Sequence, residues 1–283
     1  MKKTITILAL GLLMGACHSS EPSKEQETTT VNADTLASSK PDLSDKELNN
    51  IIESLPSPLE FSSLIQYSGA KYKESLLNGT DNRTRYNSQF TKAINLGIYG
   101  ADLGYINIYN KTYSAIEYLN TVYALATDLN IGDFFDFNTL KRLAKNNKDL
   151  DSIVYITTRG FESMHKQLRK TNNSQISTLI LAGGWIEGMY LTTGIIQSGE
   201  SPNSKDLMFT VYDEHIVLDD IVTLLNAFKS QPNFDKIIID FTNLKELYAG
   251  IASANTGKNT SITPEQFEKL AKEIKSIRAK LIE

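Results

Sequence analysis

The chain has 283 residues, 41% of them hydrophobic, and a formal net charge of −4. That length supports a sizeable core in one large domain or two small ones. The mild acidity excludes the basic footprint of a nucleic-acid binder. A single cysteine, Cys17, excludes a disulfide or a thiolate metal site within the mature chain.

Residues 1–16 read as a signal peptide. Lys2 and Lys3 form a positive start, Ile5 to Met14 a short apolar run, and the small Gly15 and Ala16 precede Cys17. The run Leu13-Met14-Gly15-Ala16-Cys17 resembles the lipobox of bacterial lipoproteins. That resemblance implies cleavage before Cys17 and a lipid on its thiol. Losing Lys2 and Lys3 takes the charge from −4 to −6, so acyl chains rather than a basic patch would hold the membrane. Residues 17–43 are rich in Ser, Thr, Glu, Lys and Pro and bury too little apolar surface to offset their ordering entropy, which predicts a disordered tether. Asp34-Thr35-Leu36 resembles the short O-glycosylation signal of Bacteroidota. The Asn-x-Ser/Thr matches at Asn78, Asn82, Asn110 and Asn172 carry little weight in a bacterial protein.

Helix signals fill residues 44–283. Ser44-Asp45-Lys46-Glu47 is a capping box, and Ser57-Pro58-Leu59-Glu60 is a second with proline at the favoured first position. The helix it opens should end at Gly69 in a left-handed cap. Tyr72 to Leu77 reads as a short helix stopped by Asn78-Gly79. A long helix follows over about Tyr86 to Ile108. At 100° per residue it places Ala93, Gly97, Gly100, Ala101 and Gly104 on one stripe. Each mid-helix glycine costs about 1 kcal/mol against alanine, so the stripe predicts a close backbone neighbour.

Thr112 to Leu129 and Asp151 to Arg169 are amphipathic helices; the second turns Ile153, Val154, Phe161, Met164 and Leu168 inward and Arg159 outward. Thr178 to Ile196 follows, apolar all round except for Glu187. A helix with no polar face belongs in the middle of a fold or in a membrane. Glu187 would sit at the bilayer centre without a partner, which favours the buried core. Further helices cover Leu207 to Tyr212, a longer segment bearing Ile216, Ile221, Val222, Leu225 and Phe228, and Phe234 to Ala249. The β-branched KIIIDF run in the last of these suits a strand but lacks a partner strand. Thr263-Pro264-Glu265-Gln266 caps the final helix, whose inward stripe is Phe267, Leu270, Ala271, Ile274, Ile277 and Leu281. The fold class expected is all-α: an irregular bundle of about ten helices around a central glycine-containing apolar helix, in one domain over 44–283. Leu96-Gly97 and Ala115-x-x-Tyr118-Leu119 resemble one tetratricopeptide unit, but the spacing is too long and no copy recurs.

Catalytic signatures are lacking. There is no nucleophile elbow and no phosphate loop. Glu162-Ser163-Met164-His165 matches half of a di-iron motif without a second copy and reads as a surface coincidence, so no metal or cofactor is expected. The tyrosines of two successive helices, Tyr99 to Tyr123, suit helix packing more than a sugar or peptide groove. Asp102 projects near Lys92, Asn95 and Tyr99, on a partly wet face. Glu187 projects beside Gly183, Tyr190 and Gly194 with no charge nearby. It should therefore be buried, paired with a tyrosine hydroxyl or a backbone carbonyl rather than Arg159, and raised in pKa by desolvation. Glu187, Tyr190, Asp102 and Tyr99 form the candidate buried polar site. Gly97, Gly100 and Gly104 should pack closely against another helix, most economically against Gly184 and Gly188.

KAINLGIYGADLGY paired with AGGWIEGMYL behind a lipobox resembles a family of uncharacterised Bacteroidota lipoproteins over most of the mature chain. The resemblance implies a location and a fold but no activity. The reading is a lipid-anchored envelope protein, in the outer membrane, acting without catalysis as an interaction or accessory subunit with an envelope protein partner. The alternative is a small-ligand binder or enzyme using Glu187 in a pocket between helices. A sealed carboxylate favours the first and an open apolar pocket the second.

Overall fold

The computed structural model describes residue 36 and residues 41–55, 60–134, 136–139, 150–199, 201–255 and 262–283. The leader, Cys17, most of the tether and the Ser57-Pro58 capping signal lie outside the described residues, as do the side chains of Ile153 and Val154. The fold is all-α, without a strand among the described residues. Ten helices have described bounds: α1 (Asp45–Ser54), α2 (Glu60–Tyr67), α3 (Gln89–Ile108), α4 (Thr112–Asp128), α5 (Leu150–Lys170), α6 (Ser174–Gln197), α7 (Ser204–Asp213), α8 (His215–Asn226), α9 (Phe234–Ala254) and α10 (Pro264–Ile282). Residues 137–139 open a further helix. The KIIIDF run lies inside α9.

Local chemistry sets several boundaries. Ser44 and Thr263 each accept a backbone N–H at the third helical position, and Glu47 and Gln266 reach back to complete the boxes. Gly69 adopts a φ of 73° just beyond α2, the left-handed cap expected of glycine there. The segment before Asn78 forms only a turn of 3-10 helix, Glu74–Leu76, and α3 begins at Gln89 behind its own cap, Ser88.

The middle of the fold is α6. Of its residues, twenty are buried, and α2, α3, α5, α7, α8 and α10 all pack on it. By length and composition alone it would suit a membrane span, yet its most apolar window is 83% buried inside the protein. Burial on all sides explains the absence of a polar face. Its most extensive neighbour is α3. A Cβ built on Gly97 would lie 2.0 Å from the Ile180 carbonyl oxygen and 2.7 Å from the Gly184 nitrogen. A Cβ on Gly183 would lie 2.0 Å from the Ile94 carbonyl oxygen. The two backbones touch there.

The contact differs from the expected stripe-on-stripe pairing. Gly183 is the reciprocal partner of Gly97, and Gly100 and Gly188 instead accept the rings of Phe161 and Phe61. Gly104 is buried. Ile216 is 64% exposed, whereas Leu218, Ile221, Val222 and Leu225 form the buried face of α8.

Candidate functional site

Glu187 is fully buried in the middle of α6, and its partner is Arg278 of α10. Arg278 Nε donates to Glu187 Oε2 at 2.9 Å and one terminal nitrogen donates to Oε1 at 3.1 Å. This is the two-pronged geometry that makes guanidinium–carboxylate pairs strong. The same terminal nitrogen reaches the Leu76 carbonyl at 3.4 Å, and the guanidinium carbon stands 4.5 Å from the centre of the Tyr190 ring. Burial alone would push the Arg278 pKa down, but the charge and hydrogen bonds of Glu187, then Asp102 and Tyr190, outweigh it and hold it up.

Asp102 of α3 completes the cluster. It is fully buried, which corrects the partly wet face expected of it. The projection counted only residues of its own helix, whereas α6 and the 78–79 loop cover it from outside. Asp102 Oδ2 accepts the Asn78 backbone N–H at 3.1 Å. Oδ1 receives no hydrogen bond, and the Glu187 charge is close enough to act on the carboxyl. Burial, then the charge of Glu187, raises the Asp102 pKa well above the usual aspartate range. Both effects favour the neutral acid at Asp102, beside the Glu187–Arg278 ion pair.

The surrounding groups close the site. Asn78 is fully buried and satisfied: its side chain donates to the Tyr86 hydroxyl at 3.1 Å and accepts from Asn82 at 2.7 Å, and its carbonyl accepts from Tyr118 at 2.9 Å. Tyr99 donates to the Gly79 carbonyl at 2.8 Å. Burial raises the pKa of Tyr99 and Tyr118, so both stay neutral donors. Tyr86 and Asn95 tie this region to the carbonyls of Ile282 and Leu281 at the end of α10.

Two expectations fail here. Glu187 has a cation after all, so the premise of an isolated carboxylate does not hold; the partner is neither a tyrosine nor a carbonyl. The predicted inward stripe of α10 had already enclosed Arg278, which projects between Phe267 and Ala271 at about 100° per residue. His165 is not a surface residue either. It is buried, its Nδ1 meets Ser177 Oγ at 2.5 Å, and burial, then Arg169, pushes its pKa down to about 3. The half-motif reading missed that His165 falls four residues from Phe161 on the core face. Among the described residues no cluster of His, Cys, Asp or Glu is grouped to hold a metal.

Tyr99, Tyr105 and Tyr118 are buried packing residues, whereas Tyr113 is 77% exposed. Two surface cavities are described, and neither wall includes Glu187, Asp102, Arg278 or Tyr190.

A pH test follows from the acid pair. An acid whose folded value exceeds its unfolded one binds more protons when folded over the interval between them. Stability is then fullest below the ordinary aspartate value and declines as pH rises toward the raised value, by about 1.4 kcal/mol per pH unit for one proton. Asp102→Asn keeps an acceptor for the Asn78 N–H without titrating. Melting curves over about pH 4 to 9 should show a shallower alkaline decline in the variant. An unchanged slope would mean that the proton is not on Asp102.

No family model, no curated protein and no solved structure matches this chain.

Proposed function

We propose that the protein is a lipid-anchored component of the bacterial envelope, held in the outer membrane, and that it acts without catalysis as an interaction or accessory subunit. The observation that supports this most is the state of its buried charges. Glu187 and Arg278 are joined by two hydrogen bonds that fasten α6 to α10, and Asp102 of α3 is buried beside them, accepting the Asn78 N–H. A group committed to holding helices is poorly placed to meet a substrate. Against a ligand pocket at Glu187 stands Arg278, which donates to both carboxylate oxygens. The anchor reading rests on the lipobox resemblance of residues 13–17 and on the family resemblance of the body.

Two measurements test it. Cys17→Ser should move the protein from the membrane fraction to the soluble fraction, and continued membrane association would remove the anchor. Crosslinking in intact envelopes should give a discrete heteromeric product. A protein that stays uncrosslinked at its native abundance would not be an accessory subunit.

A further inference from the structure

A cavity of about 300 Å³ opens between α1, the carboxyl end of α5 and the start of α6. Lys166, Arg169 and Lys170 line it from α5, and Asn49 and Glu53 from α1. Arg169, 17% exposed along its side chain, stands 3.7 Å from Glu53, which is 71% exposed. Among the described residues neither Lys166 nor Lys170 has a carboxylate in ion-pair contact. Three cations thus face one acid in a chain whose net charge is −4. The carboxyl end of α5 favours Arg169 and Lys170 through the helix dipole. It does not account for Lys166, a turn earlier, or for all three lining one cavity. Like charges brought together repel unless a counter-ion joins them.

We propose that this cavity binds a phosphate group. Its surplus of two positive charges matches a phosphate dianion, where a carboxylate would leave one uncancelled. Arg169 offers a planar fork and the lysines offer mobile ammonium donors, the pairing suited to tetrahedral oxygens. The Asn49 side-chain amide lines the cavity as well. Pro41 also lines the cavity, which places it beside the segment leading into α1. A lipid headgroup is one source of the phosphate, which rests on the anchoring proposed above; a soluble phosphate ester is the other.

Calorimetric titration of the purified full-length chain at fixed ionic strength tests this, first with inorganic phosphate and then with a soluble short-chain phosphatidic acid. Short-chain phosphatidylcholine serves as the control for acyl contacts. Phosphate should bind saturably, weaken at least tenfold in the K166E/K170E variant, and hold in K272E/K275E, which reverses two exposed lysines of α10. Phosphatidic acid binding at least tenfold tighter than phosphate, with phosphatidylcholine inert, assigns the headgroup. Phosphatidic acid binding no tighter than phosphate assigns a soluble ester. Absence of saturable binding, or equal loss in both double variants, overturns the site. The phosphate titration does not depend on the lipid anchor, whose failure is read separately by fractionation of Cys17→Ser.

Discussion

Arg278→Ala is expected to lower the unfolding free energy by about 3–5 kcal/mol, the usual cost of stranding one member of a buried ion pair. For a domain of this size that is a fall of roughly 6–20 °C in melting temperature. The guanidinium is 9% exposed and Glu187 not at all, so solvent cannot replace the lost partner. Asp102 adds to the loss, since the Arg278 charge also acts on that buried carboxyl. Glu187→Ala belongs to the same class, because it leaves the cation alone beneath Tyr190. The double variant Glu187→Leu/Arg278→Met removes both charges and fills the space with apolar atoms. It should be less destabilised than the sum of the single changes by 0.5–3 kcal/mol or more, on the order of measured coupling between contacting residues. Additive losses in that cycle would mean that the pair does not couple α6 to α10.

How much of this was legible in advance depends on whether the signal was local. Helix positions, the caps at Ser44 and Thr263 and the burial of α6 follow from periodicity and short-range hydrogen bonding, and those are properties of neighbouring residues. The unusual chemistry of Glu187 was legible too, since one carboxylate among apolar residues is visible in one segment. Its partner lies ninety-one residues away, and nothing in α6 points to it. A trace of Arg278 was nonetheless present: a cation inside an apolar stripe must find a counter-charge or stay solvated. Asp102 shows the opposite limit. Its helix mates include Lys92 and Asn95, and that projection cannot register the Asn78 loop, which closes over Asp102 from outside the helix. His165 fails in the same way, because Ser177 and the start of α6 bury it.

The glycine pair offers a second large effect. Gly97→Ala and Gly183→Ala would each drive a methyl to within 2.0 Å of a carbonyl oxygen on the facing helix, a distance no packed atom tolerates. The obstruction is backbone, so it cannot be relieved by turning a side chain. The helices must part, and α6 is held by five other helices as well as α3. Each substitution should therefore cost at or above the upper end of the 1–3 kcal/mol typical of overpacked cores, and leucine more than alanine. Gly188 and Gly100 meet phenyl rings instead, which can swing aside, so alanine at either should cost less. Gly250 supplies the internal control. It lies in the exposed part of α9 with nothing within 4 Å of its would-be Cβ. Gly250→Ala should then stabilise by about 0.4–1 kcal/mol through the unfolded chain. Thermal or urea melts of the five alanine variants rank these effects directly. A Gly97→Ala or Gly183→Ala protein that melts with the parent would show that α3 and α6 do not touch backbone to backbone.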